Sequence, residues 1–131
     1  MNKRKVKYAV QKTLMIVEDF DFIRSLVGKH FQTDGYDIIS AGNMQEAMNL
    51  GQQEQPNVVI VDFDMTSNDP YLIISILHNI LPMSQIVLMN GRSRHCDTDE
   101  AKTAGVDKIL DRTYDPVVLE EVAHSDAYMA H

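Results

Sequence analysis

Five short runs of apolar residues are spaced along the chain, and they predict five β-strands. The runs occupy positions 14–17, 36–40, 58–61, 86–89 and 106–110. The first, third and fourth runs are apolar at nearly every position, which is typical of strands buried on both faces. Strands of this kind belong to a parallel sheet that is covered by helices on both sides.

The segments between these runs carry apolar residues at helical spacing, which predicts helices that alternate with the strands. For the first helix the expected apolar positions are Phe22, Ile23, Leu26, Val27, His30 and Phe31. For the second they are Ala47, Met48 and Leu50. For the third they are Leu72, Ile73, Ile76, Leu77 and Ile80.

Several residues mark the expected helix ends. Asn43 followed by Glu46 resembles a capping box, and Pro70 suits the first turn of a helix. Gly35 and Gly105 suit positions just after a helix, because glycine tolerates a left-handed backbone there. The fourth helix is expected over 98–104, and a fifth is expected to start at residues 115–116.

The alternation of strands and helices predicts an α/β fold. We expect a doubly wound five-stranded parallel sheet flanked by five helices, with right-handed crossovers. In such folds, ligands bind beyond the carboxyl ends of the strands, near the switch in strand order. The polar residues expected at that edge are Glu18-Asp19, Asp62, Asn90-Gly91 and Asp111-Arg112.

Composition and charge narrow the class of protein. The 131 residues suit one domain, and 44% hydrophobic with 24% charged residues is ordinary for a globular chain. The net charge of -7 argues against nucleic-acid binding by this domain. Basic residues are concentrated at positions 1–12, which we interpret as a basic N-terminal extension before a domain at 13–129. This extension is either a solvated tail or a docking arm for an acidic partner.

Cysteine use and hydropathy bear on the compartment. Cys96 is the only cysteine, so no intramolecular disulfide is expected and a reducing compartment fits. The apolar runs are too short to span a membrane, and the basic start lacks the apolar region of a signal peptide. We therefore expect a cytoplasmic protein that makes no membrane contact.

The acidic residues at the predicted sheet edge indicate cation chemistry. Two unit charges about 4 Å apart at an effective dielectric of about 20 repel by roughly 4 kcal/mol. A cluster of Glu18, Asp19 and Asp62 therefore needs a divalent cation, a basic side chain or a raised pKa. Hard oxygen ligands suit Mg²⁺, and a carboxylate beside Mg²⁺ can attack phosphorus to give an aspartyl phosphate.

These residues resemble the receiver domain of two-component response regulators, which has a flavodoxin-like fold. The resemblance extends from about residue 12 to residue 127. It implies that Glu18 and Asp19 hold Mg²⁺, that Asp62 is the phosphoacceptor, and that the backbone carbonyl of Asp64 also binds the metal. The matching stretches are Leu14-Met15-Ile16-Val17-Glu18-Asp19, Val58-Val59-Ile60-Val61-Asp62 and Gly105-Val106-Asp107.

The resemblance also implies partners. The phosphoryl group would come from a histidine kinase or phosphotransfer protein, so the chain is expected to be a signalling module and not an enzyme. Receivers often dimerise or dock through the face made by the fourth helix, fifth strand and fifth helix. Here residues 97–102 and 117–128 would supply that face, and a homodimer through it is expected only by analogy.

Four residues at three sites depart from the family pattern. Asn90 stands where the family has Ser or Thr to bind the phosphoryl group, and an amide can still donate a hydrogen bond. Arg112-Thr113 replaces Lys-Pro, so the positive charge remains but the residue type that tolerates a cis peptide bond is missing. Ile109 replaces the aromatic residue whose movement accompanies the usual switch. These departures predict an altered read-out.

Two alternatives follow. In the first, the chain is a degenerate receiver that binds partners without phosphorylation. In the second, Asp62-Phe63-Asp64-Met65-Thr66 matches the first motif of haloacid-dehalogenase-type phosphatases, with Asp62 as nucleophile and Asp64 as general acid. The motif is unusually late in the chain for such enzymes, and it leaves the earlier acidic pair unused.

The loop side chains near the acidic cluster leave further choices open. Asp64 could bind metal through water, orient a hydrolytic water, or be a solvated loop acid. Arg92 and Arg94 could neutralise the acidic edge or contact a partner, although a solvated loop is the simpler interpretation.

Overall fold

The computed structural model describes residues 12–111 apart from 34 and 93. Within this part of the chain, five strands and four helices alternate as the apolar pattern predicts. They are β1 (Thr13–Val17), α1 (Asp21–Thr33), β2 (Asp37–Ala41), α2 (Met44–Glu54), β3 (Val58–Asp62), α3 (Pro70–Ile80), β4 (Gln85–Met89), α4 (Thr98–Ala104) and β5 (Lys108–Leu110). Residues 1–11 of the predicted extension, Arg112-Thr113 and the predicted fifth helix lie outside the described residues.

The strands form one parallel sheet in the order β2-β1-β3-β4-β5. The order reverses between β1 and β3, which is the switch point expected of a doubly wound sheet. Val17 of β1 pairs with Val61 of β3, and Asp62 pairs with Met89 of β4. This register places the residues that follow β1, β3 and β4 side by side at one edge of the sheet.

Successive residues of the central strands pack on opposite faces of the sheet. Met15 belongs to the same buried cluster as Leu77 of α3, whereas Leu14 belongs to the cluster that contains Val27 and Phe31 of α1. All five residues are at most 1% exposed. The prediction that the central strands are buried on both faces is therefore confirmed.

The structure shows the predicted capping residues at the start of α2 and at the ends of α1 and α4. Asn43 Oδ1 accepts a hydrogen bond from Glu46 N at 2.9 Å, and Glu46 Oε1 accepts one from Gly42 N at 2.7 Å. This is a capping box shifted by one residue on its return bond. Gly105 follows α4 with φ 114° and Gly35 follows α1 with φ 92°, both in the left-handed region that favours glycine.

Some residues expected on the inner helix faces are exposed. Phe22 is 75% exposed and Leu72 is 47% exposed, while Ile74 is buried in place of Leu72. The buried face of α1 includes Ile23, Val27 and Phe31, which follow one another at intervals of four residues. A neighbouring residue is rotated by about 100° around the axis, so an apolar side chain there misses the sheet.

Candidate functional site

Glu18 and Asp62 are adjacent at the carboxyl edge of the two central strands. They are 1% and 2% exposed respectively. Burial, followed by hydrogen bonding and charge repulsion with Asp62, raises the pKa of Glu18 to about 9. In the part of the chain that the structure describes, Glu18 Oε1 is buried without a hydrogen-bond partner. A buried oxygen left in this state disfavours the metal-free charged form.

Asp19 is held quite differently from its neighbour. Its Oδ2 accepts hydrogen bonds from Thr66 N at 2.8 Å, Thr66 Oγ1 at 2.9 Å and Ser67 N at 3.2 Å. Partial burial alone would raise the pKa of Asp19, but these hydrogen bonds outweigh it and lower the pKa. Asp19 is therefore kept ionised and is fixed to the loop after β3.

Asp62 ends β3 and is oriented by the turn that follows. Its Oδ1 accepts a hydrogen bond from Asp64 N at 2.8 Å. Its backbone oxygen accepts one from Met65 N at 3.2 Å. The turn thus fixes the carboxylate of Asp62 at the mouth of the sheet edge.

The donor set at this edge suits a hard cation. Among residues 12–111 as described, no three acidic, histidine or cysteine side chains converge into a compact metal cage. Mg²⁺ nevertheless keeps several water ligands and commonly needs only one or two carboxylates. Glu18 Oε1 is buried beside Asp62 and has no partner among the described residues. A bound cation would compensate this oxygen, so the residues present fit Mg²⁺.

Asn90 follows β4 and joins three segments. Its Oδ1 accepts a hydrogen bond from Cys96 N at 2.8 Å, and its Nδ2 donates one to Asp111 Oδ1 at 3.3 Å. Its backbone N–H donates to Leu110 O at 2.8 Å. One side chain thereby ties the end of β4 to the following loop and to the residue after β5. Sequence placed Asn90 at this edge but gave no sign of these bonds.

The side chain of Asp64 turns towards the loop after β4. Its Oδ2 accepts a hydrogen bond from Arg92 N at 2.8 Å. The Nε atoms of Arg92 and Arg94 lie 3.8 and 4.0 Å from its two oxygens. The carboxylate of Asp64 is therefore bonded to the loop, whereas the side chains of Arg92 and Arg94 stay more than half exposed to solvent.

Arg24 is a positioning residue that the sequence did not reveal. Its Nη1 donates to the backbone oxygen of Glu18 at 2.7 Å, and its guanidinium also pairs with Asp21. A Cβ added at Gly42 would lie 2.8 Å from that Nη1, so glycine makes room for the contact. An arginine on an amphipathic helix is ordinary, and its spacing carries no signal of this role.

Of the remaining predicted site residues, the structure describes Ile109 but not Arg112 or Thr113. Ile109 lies on β5 and packs, half-buried, against the core cluster on the α3 side of the sheet.

None of the described helices is long and apolar enough to cross a membrane.

The chain resembles known proteins in sequence and in fold. The family model described as "Response regulator receiver domain" matches residues 14–124. A relative, the "Probable transcriptional regulator ycf27" of Porphyridium aerugineum, is 26% identical over 84% of this chain and 45% of its own length. The chain thus spans about half the length of the curated relatives it matches.

Solved structures show the same fold. The chemotaxis protein CheY4 of Vibrio cholerae superposes with a TM-score of 0.80 at 19% identity, covering 88% of this chain and 98% of its own. A response regulator protein from Burkholderia pseudomallei, with a phosphorylated aspartic acid, calcium ion and citrate, gives 0.73 at 19% identity, covering 92% and 76%. With the family match over residues 14–124, the chain belongs to the response regulator receiver domain family.

Proposed function

We propose that this receiver accepts a phosphoryl group on Asp62, with Mg²⁺ held by Glu18, Asp19, Asp62 and the backbone carbonyl of Asp64. The observation that carries the proposal is the buried Glu18 Oε1, which lacks a partner among the described residues and lies beside a buried acceptor carboxylate. Such an arrangement costs free energy in the metal-free protein and is relieved when a cation binds. The calcium and phosphorylated aspartate of the Burkholderia relative fit the same interpretation.

The proposed transfer uses groups at the sheet edge. An oxygen of Asp62 forms a bond to the phosphorus of a phosphohistidine, the P–N bond breaks, and the electron pair stays on the imidazole nitrogen. The product is an aspartyl phosphate. Asp64 N–H holds Oδ1 of Asp62 during this step, at 2.8 Å in the structure. Bound Mg²⁺ would supply charge neutralisation for the carboxylate and phosphoryl oxygens.

Two further residues are assigned to the phosphoryl group in this proposal. Asn90 Nδ2 would donate a hydrogen bond to a phosphoryl oxygen, in the place of the family's hydroxyl. Arg112 would supply the cation that the family's lysine gives, with a planar guanidinium suited to two parallel hydrogen bonds. Both roles are carried over from the resemblance.

The proposed donor is a histidine kinase or phosphotransfer protein. Its phosphohistidine has to reach the edge occupied by Asp62. The exposed apolar residues next to the acidic pair support contact with a protein there, since Phe20 is 54% exposed and Phe22 is 75% exposed. In the same proposal the chain works in the cytoplasm as a non-enzymatic signalling module.

The test is incubation with acetyl phosphate or a beryllofluoride mimic, with and without Mg²⁺, followed by intact mass and amide NMR. We expect Mg²⁺-dependent gain of one phosphoryl group, complete loss of that gain in Asp62→Asn, and no loss in the control Glu54→Gln, which removes an exposed acid on α2. No metal binding and no modification at millimolar reagent would overturn the proposal.

A second candidate function is binding to partners without phosphorylation. It is favoured by Asn90, whose amide oxygen and nitrogen bond to Cys96 N and Asp111 in the unmodified protein. Under this alternative, Asp62→Asn leaves partner binding unchanged. The phosphatase alternative requires Asp64 to face the same substrate as Asp62, but its carboxylate bonds to Arg92 N. Turnover of a phosphomonoester that is lost in Asp64→Asn would revive it.

A further inference from the structure

The loop between β4 and α4 is fastened at its start by the carboxylate of Asp64. The strongest link is the 2.8 Å hydrogen bond from Arg92 N to Oδ2. The guanidinium contacts at 3.8 and 4.0 Å are weaker, because both arginine side chains are more than half exposed and water screens the charges. Together these contacts, which we call the Asp64 clasp, join the loop after β3 to the loop after β4.

Gly91 leaves room for the carboxylate of Asp64 in the clasp. A Cβ added to Gly91 would lie 2.0 Å from Asp64 Oδ1 and 2.8 Å from the backbone oxygen of Arg94. Its own N–H donates to that same Arg94 oxygen at 3.0 Å. Any side chain at this position would displace the carboxylate, so the close approach of Asp64 to the loop depends on glycine.

The rest of the loop is fastened to the same segment. Arg94 Nη2 donates to Phe63 O at 2.9 Å, and the guanidinium carbon lies 4.5 Å from the centre of the Phe63 ring. That ring packs edge-on against Tyr71 at 5.5 Å, and the Tyr71 hydroxyl accepts a hydrogen bond from Asp97 N at 2.8 Å. The loop is therefore held at Arg92, Arg94 and Asp97 by residues that follow Asp62.

We propose that Asp64 is the positioning residue that couples the acceptor Asp62 to the loop between β4 and α4. Its N–H bonds to Asp62 Oδ1 while its carboxylate holds Arg92 and Arg94. This coupling takes the place of the hydroxyl and aromatic residues that the chain lacks at Asn90 and Ile109. The coupling on phosphorylation rests on the function proposed above.

The physical basis of the coupling is competition for the same two arginines. Phosphorylation replaces the single charge of the Asp62 carboxylate with a phosphoryl group that carries close to two negative charges, at the edge where Asp64 already contributes one. Guanidinium groups bind phosphate oxygens more strongly than a single carboxylate at about 4 Å. Phosphorylation therefore draws the two guanidinium groups from Asp64, and this release leaves the clasp with only its backbone hydrogen bond from Arg92 N.

The first experiment tests the clasp in the unmodified full chain. Amide hydrogen exchange at Gly91 and Arg92 is compared between the natural protein, Asp64→Asn and Gly91→Ala. We expect exchange in both variants to be faster by roughly tenfold, the effect of losing one charge-assisted hydrogen bond. Glu54→Gln and Gly28→Ala are the matched controls, since each makes the same chemical change on a helix away from the loop. Unchanged exchange in both clasp variants would overturn the clasp.

The second experiment tests release. Beryllofluoride and Mg²⁺ are titrated into the natural protein and into Asp64→Asn, and arginine side-chain and Gly91 amide signals are followed by NMR. We expect these signals to shift with the Asp62 amide in the natural protein, and the Gly91 shift to be at least halved in Asp64→Asn while the mimic still binds. Binding with no response at Gly91, or an equal response in both proteins, would overturn the coupling and leave phosphorylation intact. Failure of the mimic to bind would overturn the proposed function and release together, while the exchange experiment still decides the clasp.

Discussion

The two halves of the carboxyl edge use their polar side chains in opposite ways. On the β1–β3 half, Glu18 is buried and its Oε1 has no partner among the described residues. On the β4–β5 half, the side chain of Asn90 is bonded to Cys96 of the following loop and to Asp111. We call the β1–β3 half the strained half, because its buried Glu18 Oε1 is uncompensated without a ligand. We call the β4–β5 half the satisfied half, because both polar atoms of the Asn90 side chain are bonded. A buried oxygen without a partner and an amide that holds a loop therefore lie at adjacent strand ends of one sheet.

The largest effect is expected from Asn90→Ala, which breaks the satisfied half. The substitution leaves Cys96 N without its acceptor and removes the link to Asp111. We expect the free energy of unfolding to fall by about 2–3 kcal/mol, because the partly buried Cys96 N–H loses its acceptor and a small cavity forms at the buried position 90. Urea unfolding measures this, and a change below 0.5 kcal/mol, roughly the scatter of surface substitutions, would contradict it.

A smaller effect of opposite sign is expected from Glu18→Gln on the strained half. The substitution removes the cost of protonating a buried carboxyl group whose pKa is raised to about 9, and it keeps a neutral donor towards Asp62, so the metal-free protein at neutral pH is expected to gain about 1–2 kcal/mol. Thermal unfolding in EDTA and in millimolar Mg²⁺ measures it, and Mg²⁺ is expected to stabilise only the natural protein.

The neighbouring acid gives the matched control for that substitution. Asp19 already accepts three hydrogen bonds from the loop after β3. Asp19→Asn is therefore expected to lower the unfolding temperature in EDTA. If Glu18→Gln and Asp19→Asn shift that temperature in the same direction, the contrast between the two acids is wrong.

The smallest effect is expected from Thr66→Val, which removes one hydrogen bond to Asp19 on the strained half. The hydroxyl bond to Asp19 Oδ2 is lost while the two backbone donors remain. We expect a loss of about 0.5–1 kcal/mol, since the site is near the surface. Mg²⁺ affinity, followed by amide shifts, should fall only slightly. A loss as large as that of Asn90→Ala would show that Asp19 is as deeply structural as Asn90.

The strands and the first four helices could be predicted from the order of apolar residues. Runs such as 58–61 have to be buried on both faces, and glycine at 35 and 105 ends two helices where the backbone turns left-handed. The inner faces were less well predicted. Phe22 and Leu72 are exposed, because an apolar residue next to the buried stripe satisfies the same pattern.

The acidic site could be located from sequence, but the state of each acid could not. Glu18 and Asp19 are neighbours of similar chemistry. Only the tertiary structure leaves one buried beside Asp62 and turns the other towards Thr66 and Ser67. Burial and hydrogen bonding set the pKa of a carboxyl group, and both depend on residues distant in the chain.

The sequence by itself determined the α/β fold, the strand ends that carry acidic residues, and the departures at Asn90, Ile109 and Arg112. Apolar periodicity and the rule for parallel sheets are local properties, so one chain suffices to read them. Only the tertiary structure decided that Asp64 clasps the loop after β4. That contact joins residues 28 positions apart and depends on the missing side chain of Gly91, which no local pattern encodes.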